Sequence, residues 1–445
     1  MKRERARLVR LAAVALALLL PALLLRYALR SPPPPPPPPV PASLSAATTR
    51  PPALPILPPR RRPRPLRPHS DPLLQLLRSR AAASASGTEA VNDQSLSLSQ
   101  TLAQLNDVAR AAFGLPAPER AEPSADRVVL VIMTYSRTGY VERLLRSLAL
   151  VEGIGETEVL VSTDGYNKDL PPAIAHFSAC PIRQVYFPAS PHLFLAMHPG
   201  SDPRDCPRDA PVTDQERSGC LGTPDRFHHY REPKFVSLKL HWAWLWSWLF
   251  SAYLPPGFAG NVVVMEDDSV VTSRFFYRNA KLLFAQLPSS CPNCRGASFT
   301  NPSSAGKKTL VFSGANKVYG YTRDGWNEIV KHSKQYCSFG DYNWDMSADY
   351  LPTEKYGMLT IGLSQVTVMG SCGLHGPDYD REKCKEQIDV DKLIANSDHS
   401  LIDSTWNLAV GEEVKHHERV PLGGGGWGDP RDVELCNVIF ESMRK

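Results

Sequence analysis

Residues 127–134, RVVLVIMT, form a nearly unbroken apolar run that gives way to Tyr135-Ser136-Arg137. Such a run predicts a strand covered on both faces. Residues 141–150 follow with Leu144, Leu145 and Leu148 on one stripe, the period of a helix, and residues 158–162 read as a second strand ending in Thr163-Asp164-Gly165. Strand, helix, strand at this spacing is a βαβ unit with parallel pairing and a right-handed crossover. Residues 184–187 predict a third strand. Residues 231–250 predict a helix carrying Trp242, Trp244, Trp246 and Trp248. Tryptophans at every second position cannot share one helical face, so a bulky core helix and a roof over a sugar pocket are both readings of it. In residues 261–271, NVVVMEDDSVV, four β-formers run straight into Glu266, Asp267 and Asp268. Residues 275–287 are amphipathic and helical.

These patterns predict an α/β domain with a mainly parallel central sheet flanked by helices, and they place chemistry at the strand ends. Ligands of open α/β sheets bind outside the carboxyl ends of the strands, where Arg137, Asp164 and the three adjacent acids fall. Three neighbouring carboxylates repel one another. An oxygen-seeking divalent ion such as Mn²⁺ or Mg²⁺, shared with the phosphates of a ligand, satisfies them, and so does a hydrated acidic turn. Arg137 and Asp164 read either as partners of a diphosphate and of a base or ribose, or as a helix cap and a turn residue. No GxGxxG or P-loop sequence accompanies them. A second constellation is residues 341–350, DYNWDMSADY, where Asp341, Asp345 and Asp349 are spaced to share one helical face. A carboxylate there suits a general base for an incoming hydroxyl, and a solvated acidic face has the same pattern.

Composition changes the picture mainly at the amino terminus. The chain has 445 residues and 42 prolines, concentrated early in the sequence. Residues 1–10 are basic, residues 11–25 are apolar apart from Pro21, and no small-x-small cleavage site precedes the prolines that follow. We read residues 1–10 as a cytosolic tail, 11–27 as an uncleaved signal-anchor helix, 28–124 as a Pro-rich stem containing two short helical stretches, and 125–445 as a lumenal domain. The net charge of +5 comes largely from the amino-terminal region, so the folded part carries no nucleic-acid footprint. All nine cysteines lie at or beyond Cys180, on the lumenal side, where an oxidising compartment favours disulfides. Cys291-Pro-Asn-Cys294 has no matching second pair for zinc and reads as a local disulfide. Cys180 reads as the unpaired, buried one.

The segments SDPRDCPRD, YREPKFVSLKLHW, CPNC, DYNWD, SCGLH and GGWGDPRDVELC together resemble the N-acetylglucosaminyltransferase II family of Golgi glycosyltransferases, from about residue 127 to the end. The resemblance implies a GT-A fold and inverting transfer from UDP-GlcNAc to the 2-hydroxyl of the α-1,6-arm mannose of N-glycans on glycoproteins, with Mn²⁺. The related transferase acting on the α-1,3 arm and a lumenal lectin of the same fold are the other readings. Carried over by position, donor-binding residues fall on Met133, Thr134, Tyr135, Ser136, Arg137, Asp164, Ser237, Leu238, Lys239, Leu240 and His241. The catalytic base falls on Asp345 and the metal aspartate on Asp268. The family's metal histidine falls on Val368, which leaves His375 or water for that place. The implied disulfides are Cys206 with Cys220, Cys291 with Cys294, Cys337 with Cys436, and Cys372 with Cys384.

Overall fold

The computed structural model describes residues 127–135, 137–165, 167–187, 190, 202, 204–211, 219–255, 257–300, 310–313, 317–352, 357–361, 365–369, 389–397, 400–402, 421 and 424–442. The tail, anchor and stem readings lie outside these residues, as do Ser136, His375, Cys372 and Cys384. Among the described residues no helix is long and apolar enough to cross a membrane.

The predicted opening unit is present as β1 (Val128–Thr134), α1 (Thr138–Leu148), β2 (Val159–Thr163), α2 (Leu170–Ala175) and β3 (Ile182–Tyr186). β1 pairs in parallel with β2, and β2 with β3. The tryptophan helix α3 (Pro233–Trp248) leads to β4 (Asn261–Glu266), which pairs in parallel with the other side of β1. The chain continues through β5 (Ser269–Val271), α4 (Phe276–Ser290), β6 (Cys294–Ser298), β7 (Leu310–Ser313), β8 (Val318–Tyr321), α5 (Arg323–Lys331) and α6 (Ser333–Ser338). It ends with α7 (Trp344–Asp349), β9 (Gly357–Ile361), β10 (Val366–Val368), α8 (Val390–Ala395) and α9 (Pro430–Ser442).

The central sheet has the order β3-β2-β1-β4-β8-β6-β9-β7, and six of its eight strands run one way, with β8 and β7 reversed. β4 therefore sits at the seam, parallel to β1 on one side and antiparallel to β8 on the other, where the sequence predicts a strand inside a parallel sheet. β10 and β5 form a separate antiparallel ribbon.

The apolar runs are unbroken because each strand faces two cores. Val129, Val131, Met133, Val262 and Val264 pack on one side, while Val128, Leu130, Ile132, Val263 and Met265 pack on the other. Full burial of each such side chain contributes about 1.5–3 kcal/mol. Helix α3 covers the first face, and its tryptophans divide between neighbours. Trp242 and Trp246 lie against Tyr321 and Trp326, whereas Trp244 stacks on Trp248 and leans on Phe187. The core reading of that helix is the one that holds.

Among the described residues three disulfides join Cys206 to Cys220, Cys291 to Cys294, and Cys337 to Cys436, and Cys180 is free and buried. The third closes a loop with a sequence separation of 99 and ties α9 to α6. The tail before α9 is drawn in by close approach. A Cβ on Gly426, which has φ +70, falls 1.9 Å from the Tyr230 carbonyl oxygen, and one on Gly425 falls 2.2 Å from the Tyr342 ring. Replacing Cys337 and Cys436 together with alanine is expected to lower unfolding free energy by about 4.7 kcal/mol, the chain-entropy value for a loop of this length. Denaturant titration of the two proteins checks this.

Candidate active site

The carboxyl ends of β1, β2 and β4 lie side by side, so Met133, Thr134, Asp164 and the three acids are neighbours by register, with Tyr135 and Arg137 just beyond β1: Met133 faces Glu266 across β1 and β4. Asp267 is buried and doubly held. Its Oδ2 accepts from Thr134 Oγ1 at 2.7 Å and its Oδ1 pairs with Arg137 Nη2. Burial raises the Asp267 carboxyl above its ordinary range, and the Arg137 charge opposes that rise. Arg137, in turn, is pulled down by burial, but Asp267 and Asp268 outweigh this and keep it firmly protonated. It lies 4.9 Å over the Tyr140 ring with its side chain 30% exposed.

Asp268 differs from its neighbours. Arg137 Nη1 stands 3.6 Å and Lys317 Nζ 3.2 Å from Oδ2, while Oδ1 is buried and has no hydrogen-bond partner. An orphaned buried carboxylate oxygen is costly, and at a cluster of acids it fits an oxygen-seeking cation. The donor set therefore fits Mn²⁺ or Mg²⁺ through Asp268, although no group of three potential ligands is assembled among the described residues. Val368 lies beside this point. It pairs with Ser269 across the β5 and β10 ribbon, and the next residue, Met369, donates its amide to the Asp268 carbonyl at 2.5 Å. The resemblance thus aligns position 368 with a place next to Asp268, where valine brings no donor atom.

Sequence reasoning missed Lys317. Its Nζ donates to Glu266 Oε2 at 2.6 Å and to Asp268 Oδ2 at 3.2 Å. Burial raises Glu266 to about 7, opposed by the Lys317 charge and reinforced by Asp268. No local pattern in SGANKVYGY marks this lysine; only the register of β8 against β4 brings it opposite the acids.

The remaining predicted donor residues fall into two groups. Asp164, at the end of β2, is buried with Oδ1 unpartnered, a carboxylate oxygen suited to a donor group on a ligand. His241 lies close by in the chain of contacts. Its Nε2 stands 2.7 Å from Ser162 Oγ, and its ring stacks on Phe187. Burial lowers His241 to about 4, with the Asp164 charge opposing, so the ring is neutral in the folded protein. Ser237, Lys239 and Leu240 are buried within α3, and Leu238 is half-buried beside the core. Lys239 is spent inside the protein: its Nζ donates to the Phe339 and Asp341 carbonyls at 3.0 and 2.9 Å and lies 4.1 Å over the Trp427 ring. It props the DYNWD loop from beneath. Burial drives its pKa well below the usual lysine value.

The buried histidine gives a pH prediction with a definite sign. The unfolded chain binds a proton at about pH 6.5 that the folded protein refuses until pH falls to about 4. Stability is therefore highest above the unfolded value and is lost as pH falls through this window, by on the order of 3 kcal/mol from this group. Denaturant unfolding from pH 7 to 4 should show a shallower acid-side decline for His241→Asn than for the parent protein.

The three-aspartate stripe does not form as the spacing predicts, because the helix starts only at Trp344. Asp341 precedes it, fully buried, with Oδ1 accepting from the Asn343 backbone and side-chain amides at 2.8 Å. Asp349 pairs with Arg295 at 3.1 Å. Asp345, in the first turn of α7, accepts from the Met346 amide at 2.8 Å and has no cationic partner among the described residues. Burial raises its carboxyl, and the Met346 amide holds the rise back. That is the environment of a proton acceptor. Trp344 is buried and stacked between Trp242 and Tyr319, so its ring belongs to the core and is not a shelf for a sugar. An open polar cavity of about 640 Å³ is lined in part by Arg208, Asp209, Glu232 and Lys234, and Arg208 lies 5.8 Å over the ring of Phe235, which packs on Tyr342.

Comparison with known proteins gives the family. The family model described as N-acetylglucosaminyltransferase II (MGAT2) matches residues 108–436, beginning upstream of β1. An Arabidopsis thaliana protein named alpha-1,6-mannosyl-glycoprotein 2-beta-N-acetylglucosaminyltransferase is 31% identical over 330 residues, spanning 72% of this chain and 75% of its own. The Homo sapiens protein of the same name is 30% identical over 326 residues, spanning 69% and 72%. Among solved structures, a mannosyltransferase from Pyrobaculum calidifontis in complex with GDP-Man and Mn²⁺ covers 67% of this chain and 70% of its own at 11% identity, and its TM-score of 0.31 is too low to carry any argument. With the family match spanning well over half of the sequence, the chain belongs to the N-acetylglucosaminyltransferase II family.

Proposed function

We propose that this chain transfers N-acetylglucosamine, with inversion, from UDP-GlcNAc to the 2-hydroxyl of the α-1,6-arm mannose of N-glycans, held to the Golgi membrane by residues 11–27 with its catalytic domain in the lumen. Family membership and the names of its relatives support the reaction, and three disulfides support an oxidising compartment. The observation that carries the reading is the contrast within DYNWDMSADY. Asp341 and Asp349 are consumed by structural bonds, and Asp345 is left with a raised carboxyl and no cationic partner among the described residues.

Asp345 takes the proton of the attacking mannose hydroxyl as the new bond forms at the anomeric carbon and UDP departs from the opposite face. Lys239 acts through the backbone, holding the loop at Phe339 and Asp341 so that Asp345 is presented at one place. Asp164 receives donor groups of the nucleotide, and the exposed edge of Arg137 faces its diphosphate. Asp268 would hold the Mn²⁺, which when bound would supply positive charge against the diphosphate. The open cavity lined by Arg208, Asp209, Glu232 and Lys234 gives the glycan room to approach.

The experiment is a metal titration of UDP-GlcNAc turnover with a mannose-terminated acceptor. Turnover is expected to cease with a chelator and return with Mn²⁺, and full turnover in chelator contradicts the metal assignment. Because position 368 adjoins Asp268 and lacks a donor atom, Val368→His is expected to lower the Mn²⁺ concentration at half-maximal rate. An unchanged midpoint with intact activity places residue 368 away from the metal.

A further inference from the structure

Lys317 meets the acid cluster from an unfavourable backbone. Its φ of +53 lies in the left-handed region, which glycine or asparagine enters at lower cost than lysine. The ladder between β4 and β8 ends at the pair of Met265 with Val318, so Lys317 stands one step beyond it, and its carbonyl accepts from the Glu266 amide at 2.9 Å. From there Nζ bridges Glu266 Oε2 and Asp268 Oδ2 at 2.6 and 3.2 Å. Arg137 serves Asp267 and Asp268 from the opposite element. Three carboxylates thus face two fixed cations. Across the ribbon, Val368 offers nothing to hold a divalent ion against them.

We infer that Lys317 is a built-in counter-ion of the acid cluster: it keeps Glu266 and Asp268 assembled without metal and sets the metal affinity by competing for the Asp268 carboxylate. This rests on the reading of Asp268 as the metal ligand. The physical reason is direct. A divalent ion bound through Asp268 shares that carboxylate with an ammonium group, and like charges at such separations repel strongly in a partly buried site. A nucleotide diphosphate brings negative charge and oxygen donors to the same place, so metal binding is weak alone and firm once the nucleotide is present. Lys317 is a positioning residue for the acids and for the ion, not a group that touches the reacting atoms.

The test measures Mn²⁺ binding to the whole protein by electron paramagnetic resonance, with and without UDP, together with melting temperature in chelator and in Mn²⁺. The variants are Lys317→Asn, which removes the charge and suits the left-handed backbone, and Lys317→Arg, which keeps the charge. Lys317→Asn is expected to bind Mn²⁺ at least about tenfold more tightly than the parent in the absence of UDP, with a smaller gain in its presence. Lys317→Arg is expected to match the parent. In chelator, Lys317→Asn should melt earlier and be restored by Mn²⁺, and a variant that folds only with Mn²⁺ present is the same result in its extreme form. Equal Mn²⁺ affinity in Lys317→Asn and parent, or equal melting in chelator, overturns the inference while leaving the metal site standing. Absence of Mn²⁺ binding to every variant, even with UDP, overturns the metal reading of Asp268 and the role of Lys317 with it.

Discussion

Asp345→Asn is expected to reduce transfer by about 10²–10⁴-fold, the usual contribution of a positioned general base, with little change in folding stability. Its side chain accepts from the Met346 amide, a bond that the carbonyl oxygen of asparagine can also accept. What the variant loses is the ability to take a proton. The effect should fall on kcat, since neither the donor residues at the strand ends nor the open cavity depends on this carboxylate. Asp349→Asn is the informative contrast. Asp349 holds the buried Arg295, whose Nη1 also donates to the Ala348 carbonyl at 2.8 Å, so that variant should lose about 1–3 kcal/mol of stability and retain its chemistry once folded. Steady-state rates and denaturant melts of the two variants separate these outcomes. Similar rates for both would remove Asp345 from the mechanism.

Asp268→Asn and Asp267→Asn, one residue apart, are expected to fail differently. Asp268 carries the buried oxygen without a partner, and a neutral amide is a poor ligand for a hard divalent ion. Its loss should cost about a hundredfold or more in turnover, the order of several kcal/mol of charge stabilisation, with a small change in melting. Asp267 is already committed to Thr134 and Arg137. An asparagine there accepts from Thr134 but no longer balances the guanidinium, so about 1.5–3 kcal/mol of stability is the expected loss, with turnover reduced less than in Asp268→Asn. The readout is Mn²⁺-supported turnover and a denaturant melt for each. Near-parent rates for both would sink the metal assignment.

The parallel half of the sheet was legible because its strands are long, apolar on both faces and end in polar residues. β1, β2 and β4 announce themselves, and their carboxyl ends locate the acids, Arg137 and Asp164 without any coordinates. The other half was not legible. β6 is CRGAS, β8 is VYGY and β9 is GMLTI, short segments with glycines and no clean period, and their pairing is fixed by packing with distant elements. That half supplies Lys317, so the charge balance of the site was invisible until the register of β8 was known. The aspartate stripe shows a different limit. Spacing predicts a shared face only if the helix runs through it, and here Asp341 is held by Asn343 before α7 begins. Lys239 shows a third. The resemblance places it among the donor-binding residues, whereas burial beneath Trp427 directs its Nζ to two backbone carbonyls.

The central claim is a transfer with a defined position, and the most direct test is the structure of the product. The full chain is incubated with UDP-GlcNAc, Mn²⁺ and an N-glycan whose α-1,3 arm already carries N-acetylglucosamine and whose α-1,6 arm ends in mannose, and the product is assigned by nuclear magnetic resonance. One added N-acetylglucosamine is expected, β-linked to the 2-hydroxyl of the α-1,6-arm mannose, with equimolar UDP released and with transfer by Asp345→Asn slowed by about 10²–10⁴-fold. An α-linkage, addition to another hydroxyl or arm, or full transfer by Asp345→Asn would contradict it.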